Sequence, residues 1–329
     1  MPDSFAITAT DVENAALLIA PAAVRTPLLE NAVLNERCGG RVLVKFEGAQ
    51  HSGSFKFRGA YNRLARLDAD QRKTGVVAWS SGNHAQGVAF AARLLGMPAT
   101  IVMPADAPAI KTANTRALGA EVVAYDRLTE SREEIARALV AERGAVLVPS
   151  YDDPFVMAGQ GTIGLEIVEQ AAELGVDVGQ ILVNCGGGGM VSGIATAVKA
   201  RRADVAIYAV EPEGFDDTAR SLASGVREKV SPDARSICDA LLAPMPGELT
   251  FPINRALLSG GLVVSDDQVR EAMRFAFSAL KLVVEPGGAV ALAAMLAGLA
   301  PKVDGASAVV ISGSNVDPDT YARIIAGDA

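Results

Sequence analysis

Along the chain, short apolar runs rich in Val and Ile alternate with longer segments of helical periodicity. Residues 42–46, 75–79, 100–103, 121–124, 145–148, 181–183, 205–210 and 308–311 read as buried strands, apolar on both faces as parallel strands tend to be. Between them, Thr10-x-x-Glu13 and Ser265-x-x-Gln268 have the form of capping boxes, and Gly96, Gly119 and Gly144 stand where helical runs stop. Strand, helix, strand in succession predicts an α/β protein with right-handed crossovers and mostly parallel sheets covered by helices. Ligands of such sheets bind beyond the carboxyl ends of the strands. Four polar or glycine-rich segments follow strands directly, at 80–86, 185–192, 211–217 and 312–317, and are the site candidates.

Length and composition narrow the picture modestly. The 329 residues carry no internal repeat and no tether rich in Gly, Pro and Ser, so the lobes are expected to be interwoven around a shared core. A net charge of −8 offers nucleic acid no broad basic surface. Three widely spaced cysteines, Cys38, Cys185 and Cys238, form neither a disulfide framework nor a Cys-x-x-Cys site. The N-terminus lacks the basic and apolar regions of a signal peptide, and no uncharged apolar run reaches the ~18 residues of a membrane span. A cytoplasmic protein without membrane or nucleic-acid partners is expected.

Three segments carry chemistry. Ser52-Gly-Ser-Phe-Lys56-Phe-Arg-Gly-Ala60 sets one lysine at a helix start. Such a lysine is ordinarily solvated; partly desolvated among cationic groups, its lowered pKa would suit Schiff-base chemistry. Gly186-Gly187-Gly188-Gly189 follows a strand and leads into a helix. Without Cβ atoms, successive N–H groups can turn toward one anion, with the helix dipole behind them. The loop fails the Gly-x-Gly-x-x-Gly dinucleotide pattern and lacks the Gly-Lys-Ser/Thr ending of a Walker loop, so it reads as a simple phosphate cup. Ser80-Ser81-Gly82-Asn83-His84 is either an N-cap cluster or a place for a carboxylate held by hydroxyls and helix-start N–H groups.

In order and spacing, Ser-Phe-Lys56-Phe-Arg-Gly-Ala, Ser-Ser-Gly-Asn83-His, the tetraglycine loop, Glu285-Pro-Gly-Gly288 and Ser312-Gly-Ser-Asn315 resemble the serine/threonine dehydratase and serine racemase family of fold-type II pyridoxal-phosphate (PLP) enzymes. The resemblance runs from Arg25-Thr-Pro-Leu28 to Asn315. It implies a large PLP-binding domain from 1–70 and 149–329, a small domain from 71–148, and a homodimer. It also implies PLP-dependent β-elimination from a 3-hydroxy amino acid of the threonine or serine type, giving a 2-keto acid and ammonia.

Carried over by position, Lys56 would hold the cofactor as a Schiff base and then act as general base, with Phe55 beside the ring. Gly186, Gly187, Gly188 and Gly189 would bind its phosphate, Asn83 its 3′-oxygen and Ser312 its pyridine nitrogen. A neutral hydroxyl there, rather than a carboxylate, disfavours transamination. Ser81 would be catalytic on the ring face opposite Lys56, and would hold the substrate carboxylate with Ser80, Gly82 and His84. A magnesium or calcium ion would take Glu211, Asp217 and the Phe215 carbonyl oxygen, a hard oxygen set; the alternative is a solvated acidic loop. The chain departs from the family at Cys185, at Ser314 and at Ala240, the last in a segment that should face the substrate side chain.

Arg132, in Thr129-Glu-Ser-Arg-Glu-Glu134, opposes the dipole in the first turn of a helix expected to be capped near Thr129. It is either a surface residue paired with a neighbouring glutamate or the fork that receives a second substrate carboxylate. The second alternative would make threo-3-hydroxyaspartate a substrate; serine racemisation is a further one. Outside this class, a non-catalytic metabolite-binding regulator would explain neither Lys56 nor the failed dinucleotide pattern.

Overall fold

The computed structural model describes residues 5–80, 82–107 and 109–328. Ten strands are present among them: β1 (Leu28–Glu30), β2 (Val42–Phe46), β3 (Val76–Trp79), β4 (Ala99–Pro104), β5 (Glu121–Tyr125), β6 (Val146–Leu147), β7 (Val178–Asn184), β8 (Ala206–Pro212), β9 (Gly260–Val264) and β10 (Ala306–Ile311). One sheet has the order β1-β2-β10-β7-β8-β9, the other β5-β4-β3-β6. Every pairing is parallel except β1 with β2. All eight strands expected from the apolar runs are found, with ends shifted by at most three residues.

The two unexpected strands are both sheet edges. β1 is three residues long behind Pro27, too short for an alternating pattern to register. β9 opens with Gly260-Gly261, residues of poor strand propensity. A side chain at Gly261 would strike Ala219 on the helix Asp217–Ser224, so close packing of that helix accounts for the glycine.

The N-terminal helix starts earlier than Thr10 indicated. Thr8, in extended conformation, accepts from the Asp11 N–H at 3.3 Å, and Asp11 accepts the Thr8 N–H at 2.8 Å. The expected box at Ser265 and Gln268 is present, and Gly96, Gly119 and Gly144 all have positive φ at helix ends. No helix among the described residues is long and apolar enough to cross a membrane.

The topology places the chemistry. In the six-stranded sheet the neighbours β2, β10, β7 and β8 run parallel, so their carboxyl ends deliver in spatial sequence Lys56, Ser312, the four glycines and Glu211. In the other sheet β3, β5 and β6 lead into Ser80–His84, Arg132 and Ser150–Tyr151.

Candidate active site

The two sets of strand ends share one cavity of about 370 Å³. Phe55, Lys56, Asn83, the four glycines and Ser312 line it, as do Ser80, Gly82, His84 and Arg132. Ser81 lies outside the described residues.

Lys56 is the first residue of the helix Lys56–Ala65 and is partly buried. Its Nζ donates to the Ser150 carbonyl at 2.7 Å and sits 5.0 Å from the centre of the Phe55 ring. Burial lowers its pKa to about 8, a stronger effect than the opposing pull of the Glu285 carboxyl. The lowered pKa raises the fraction of neutral amine, the form that acts as nucleophile or base, relative to an ordinary lysine.

The glycine loop joins β7 to the helix Gly189–Arg201. Gly188, at the N-cap, has φ +92°, a conformation other residues rarely adopt. Tyr151 closes one side: side chains at Gly187 and Gly189 would run into its ring and carbonyl oxygen. The loop's N–H groups and the helix dipole are the donors a phosphate requires.

Ser312 Oγ accepts from Asn184 Nδ2 at 2.9 Å, which leaves its O–H proton free for the cavity. Asn184 is itself held by the Gly287 and Gly288 carbonyls and the Ala291 N–H. His84 donates its Nε2–H to the Val148 carbonyl at 2.9 Å, and burial holds its pKa down to about 3, with Lys56 adding to the effect. A neutral ring bonded this way presents only an acceptor, so the His84 side chain offers a carboxylate no donor and any hold on one falls to Ser80 and the backbone N–H groups at the start of the helix Asn83–Leu94.

Arg132 is the first residue of the helix Arg132–Arg143, whose cap is Ser131 rather than Thr129. Its side chain is 45% exposed and pairs with Glu133 at 2.9 Å, yet it also lines the cavity. The position of Arg132 is compatible with both alternatives.

Glu211 and Asp217 stand away from that cavity's lining. Glu211, at the end of β8, accepts the N–H groups of Thr218 and Ala219 at 3.0 and 2.8 Å. Asp217 is buried, and neither of its oxygens has a hydrogen-bond partner among the described residues. Burial raises Glu211 to about 8, helped by the Asp217 charge, and raises Asp217 to about 7. Two buried carboxyls, one wholly unpartnered, are a donor set that fits a hard cation. No group of three or more His, Cys, Asp or Glu side chains suits a metal among the described residues, so the set depends on the carbonyl of Phe215, which lies in the turn between them.

Sequence reasoning passed over Tyr151, Lys111 and Asp239, which also line the cavity; Lys111 bridges it to Asp239 at 2.5 Å. For Tyr151 the signal existed: 149–153 directly follows a strand and precedes Pro154 at a helix start, as the other site segments do.

A desolvated lysine facing a phosphate cup across one cavity defines a PLP site, and the pyridoxal-phosphate dependent enzyme family matches residues 19–313. The chain belongs to that family and uses PLP. It is 47% identical over 318 residues to the L-threo-3-hydroxyaspartate ammonia-lyase of a Pseudomonas species, covering 96% of this chain and 98% of that protein. To the L-threonine ammonia-lyase of Thermotoga maritima it is 40% identical, covering 97% of this chain and 78% of that one. Maize serine racemase superposes with a TM-score of 0.92 at 37% identity over 98% of both chains. The fold is therefore that of the fold-type II PLP enzymes expected from the five motifs.

Proposed function

We propose that this enzyme catalyses β-elimination from a 3-hydroxy amino acid to a 2-keto acid and ammonia, with L-threo-3-hydroxyaspartate as its preferred substrate and threonine and serine as poorer ones. The observation that carries the preference is Arg132, a guanidinium lining the same cavity as Lys56. Similarity to the Pseudomonas hydroxyaspartate ammonia-lyase supports it.

Bound PLP supplies an electron sink for the bond broken at the substrate Cα. The chain supplies the rest. Lys56 would hold the cofactor and would take the substrate Cα proton as general base, burial lowering its pKa toward that task. Gly186 to Gly189 hold the phosphate, and Ser312 offers the pyridine nitrogen an O–H rather than a carboxylate. The helix-start N–H groups beside Ser80 and Gly82 hold the α-carboxylate, and Arg132 the second one. Ser81 is assigned to the opposite face, where reprotonation would give serine racemisation. Glu211, Asp217 and the Phe215 carbonyl oxygen are assigned a magnesium or calcium ion. Residues 71–148 are taken as the small domain, and the working form as a cytoplasmic homodimer.

Keto-acid release from hydroxyaspartate, threonine and serine by wild type and Arg132→Ala tests the assignment. Loss of a charge-assisted pair should lower the hydroxyaspartate-to-threonine ratio of kcat/KM by on the order of ten- to hundredfold. A ratio that stays put makes Arg132 a surface residue and removes the dicarboxylate preference.

A further inference from the structure

Two motifs are unaccounted for by that mechanism, Glu285-Pro-Gly-Gly288 and the Asn315 that ends Ser312-Gly-Ser-Asn, and the structure brings both onto Asn83. A primary amide is ambiguous: its nitrogen and oxygen are nearly the same size, and only their partners decide which faces where. Here the partners are of opposite kind. Asn83 Nδ2 donates to Glu285 Oε1 at 2.6 Å, while Asn83 Oδ1 accepts from Asn315 Nδ2 at 2.8 Å. Asn315 commits its other N–H to the Ser52 carbonyl at 2.7 Å, so its own orientation is fixed as well.

Glu285 is held equally firmly. It is 2% exposed and N-caps the helix Pro286–Leu296, and its N–H donates to the Gly313 carbonyl at 3.2 Å. Side chains at Gly313 and Gly288 would collide with its carboxyl and with the Gly313 carbonyl, which explains glycine at both positions. Burial raises the Glu285 pKa to about 8. Protonated or not, a carboxyl keeps an oxygen that accepts.

The Asn83 amide has two N–H bonds, and one is spent on Glu285. The geometry points to Glu285 and Asn315 as positioning residues that lock this amide so that its remaining N–H faces the cavity and meets the cofactor's 3′-oxygen. With the amide reversed, a carbonyl oxygen would face that oxygen instead, repelling it where a donor is needed. The inference rests on the assignment of Asn83 to the 3′-oxygen, and the test separates the two.

The readouts are the ratio of the two absorption bands of bound cofactor, which follows protonation at the 3′-oxygen, and the rate of cofactor release. Asn83→Ala comes first: unchanged ratio and release would overturn the assignment of Asn83 and the inference with it. Given a response there, Asn315→Asp turns the donor into an acceptor, so two acceptors compete for the Asn83 nitrogen. The expected result is a shifted band ratio and release on the order of tenfold faster. Glu285→Gln keeps an accepting oxygen and should stay within about twofold of wild type on both readouts, which a merely structural carboxylate would not predict. Asn315→Leu, which removes the donor without adding charge, repeats the first arm should the aspartate variant fail to fold. A wild-type band ratio in folded Asn315→Asp or Asn315→Leu, or an equal shift in Glu285→Gln, would overturn the lock.

Discussion

Two of the buried groups of charges in this molecule are built on opposite plans. Behind the helix that carries Lys56, two cations meet two carboxylates. Arg58 binds Glu47 at 2.8 and 2.9 Å and Glu166 at 2.6 and 2.9 Å, and Lys45 reaches Glu166, the Gln170 side chain and the Thr26 carbonyl. Although burial acts against ionisation, Arg58 and Lys45 hold the Glu166 carboxyl below its usual range. At the end of β8, Glu211 and Asp217 form no ion pair among the described residues, Arg220 pulling on Asp217 less than burial pushes, and both carboxyls are raised. The first group is electrically complete within the chain; the second has no such balance among the described residues. Burial by itself therefore does not say what a charge is for; the balance of its partners does.

The sharpest way to break the contrast is Arg58→Met. With its cation gone, Glu47 is left as a fully buried, unpaired carboxylate, and stability should fall by about 3–5 kcal/mol in denaturant titration. An unchanged midpoint would show that the network contributes no more than hydrophobic packing.

The mirror experiment removes charge from the other group. In chelator, Asp217→Asn should raise the midpoint of thermal unfolding, because a buried, unpartnered carboxylate is replaced by a neutral amide. Magnesium or calcium at a hundredfold above its Kd should stabilise the wild type by about 2.7 kcal/mol and the variant by little. A chelator-insensitive wild type would dismiss the cation.

Lysines supply a subtler comparison. Lys45 is fully buried and donates three hydrogen bonds, whereas Lys56 has a single bond to a carbonyl and faces the cavity. Because a lowered pKa frees the amine as pH rises through about 8, covalent capture of PLP by cofactor-free protein should increase across that pH, with Lys56 modified and Lys45 untouched. Capture that climbs only near the ordinary lysine range, or label found on Lys45, would contradict the contrast.

The smallest effect belongs to the surface. Arg25 and Glu173 approach to 2.6 Å but are 48% and 61% exposed. Arg25→Gln should cost under about 1 kcal/mol, and less in high salt. A larger loss would mean that distance, not burial, sets the value of these pairs.

Local signals carried a good part of the site. Four consecutive glycines between a β-branched strand and a helix let successive N–H groups turn toward one anion whatever lies around them, because the steric argument needs no partner. Strands buried on both faces likewise announced the parallel sheets, since the pattern is internal to each strand. The helix at Arg132 was legible too, although its cap moved to Ser131, where a hydroxyl reaches the Glu134 N–H at 3.3 Å.

What tertiary structure alone decided were relations between segments far apart in the chain. Strand order β2-β10-β7 sets Ser312 between Lys56 and the glycines, and no local periodicity encodes that order. Glu47 and Arg58 look like ordinary charged residues until β2 and the helices around 58 and 166 bury them together, and Asp217 looks solvated until packing strips its water and offers no partner. The same holds for Asn83: its side chain has a direction only because residues 202 and 232 positions away supply one acceptor and one donor. Propensity and pattern act over a few residues, whereas burial and hydrogen-bond partnership are properties of the assembled fold, and the chemistry of this site depends on the latter.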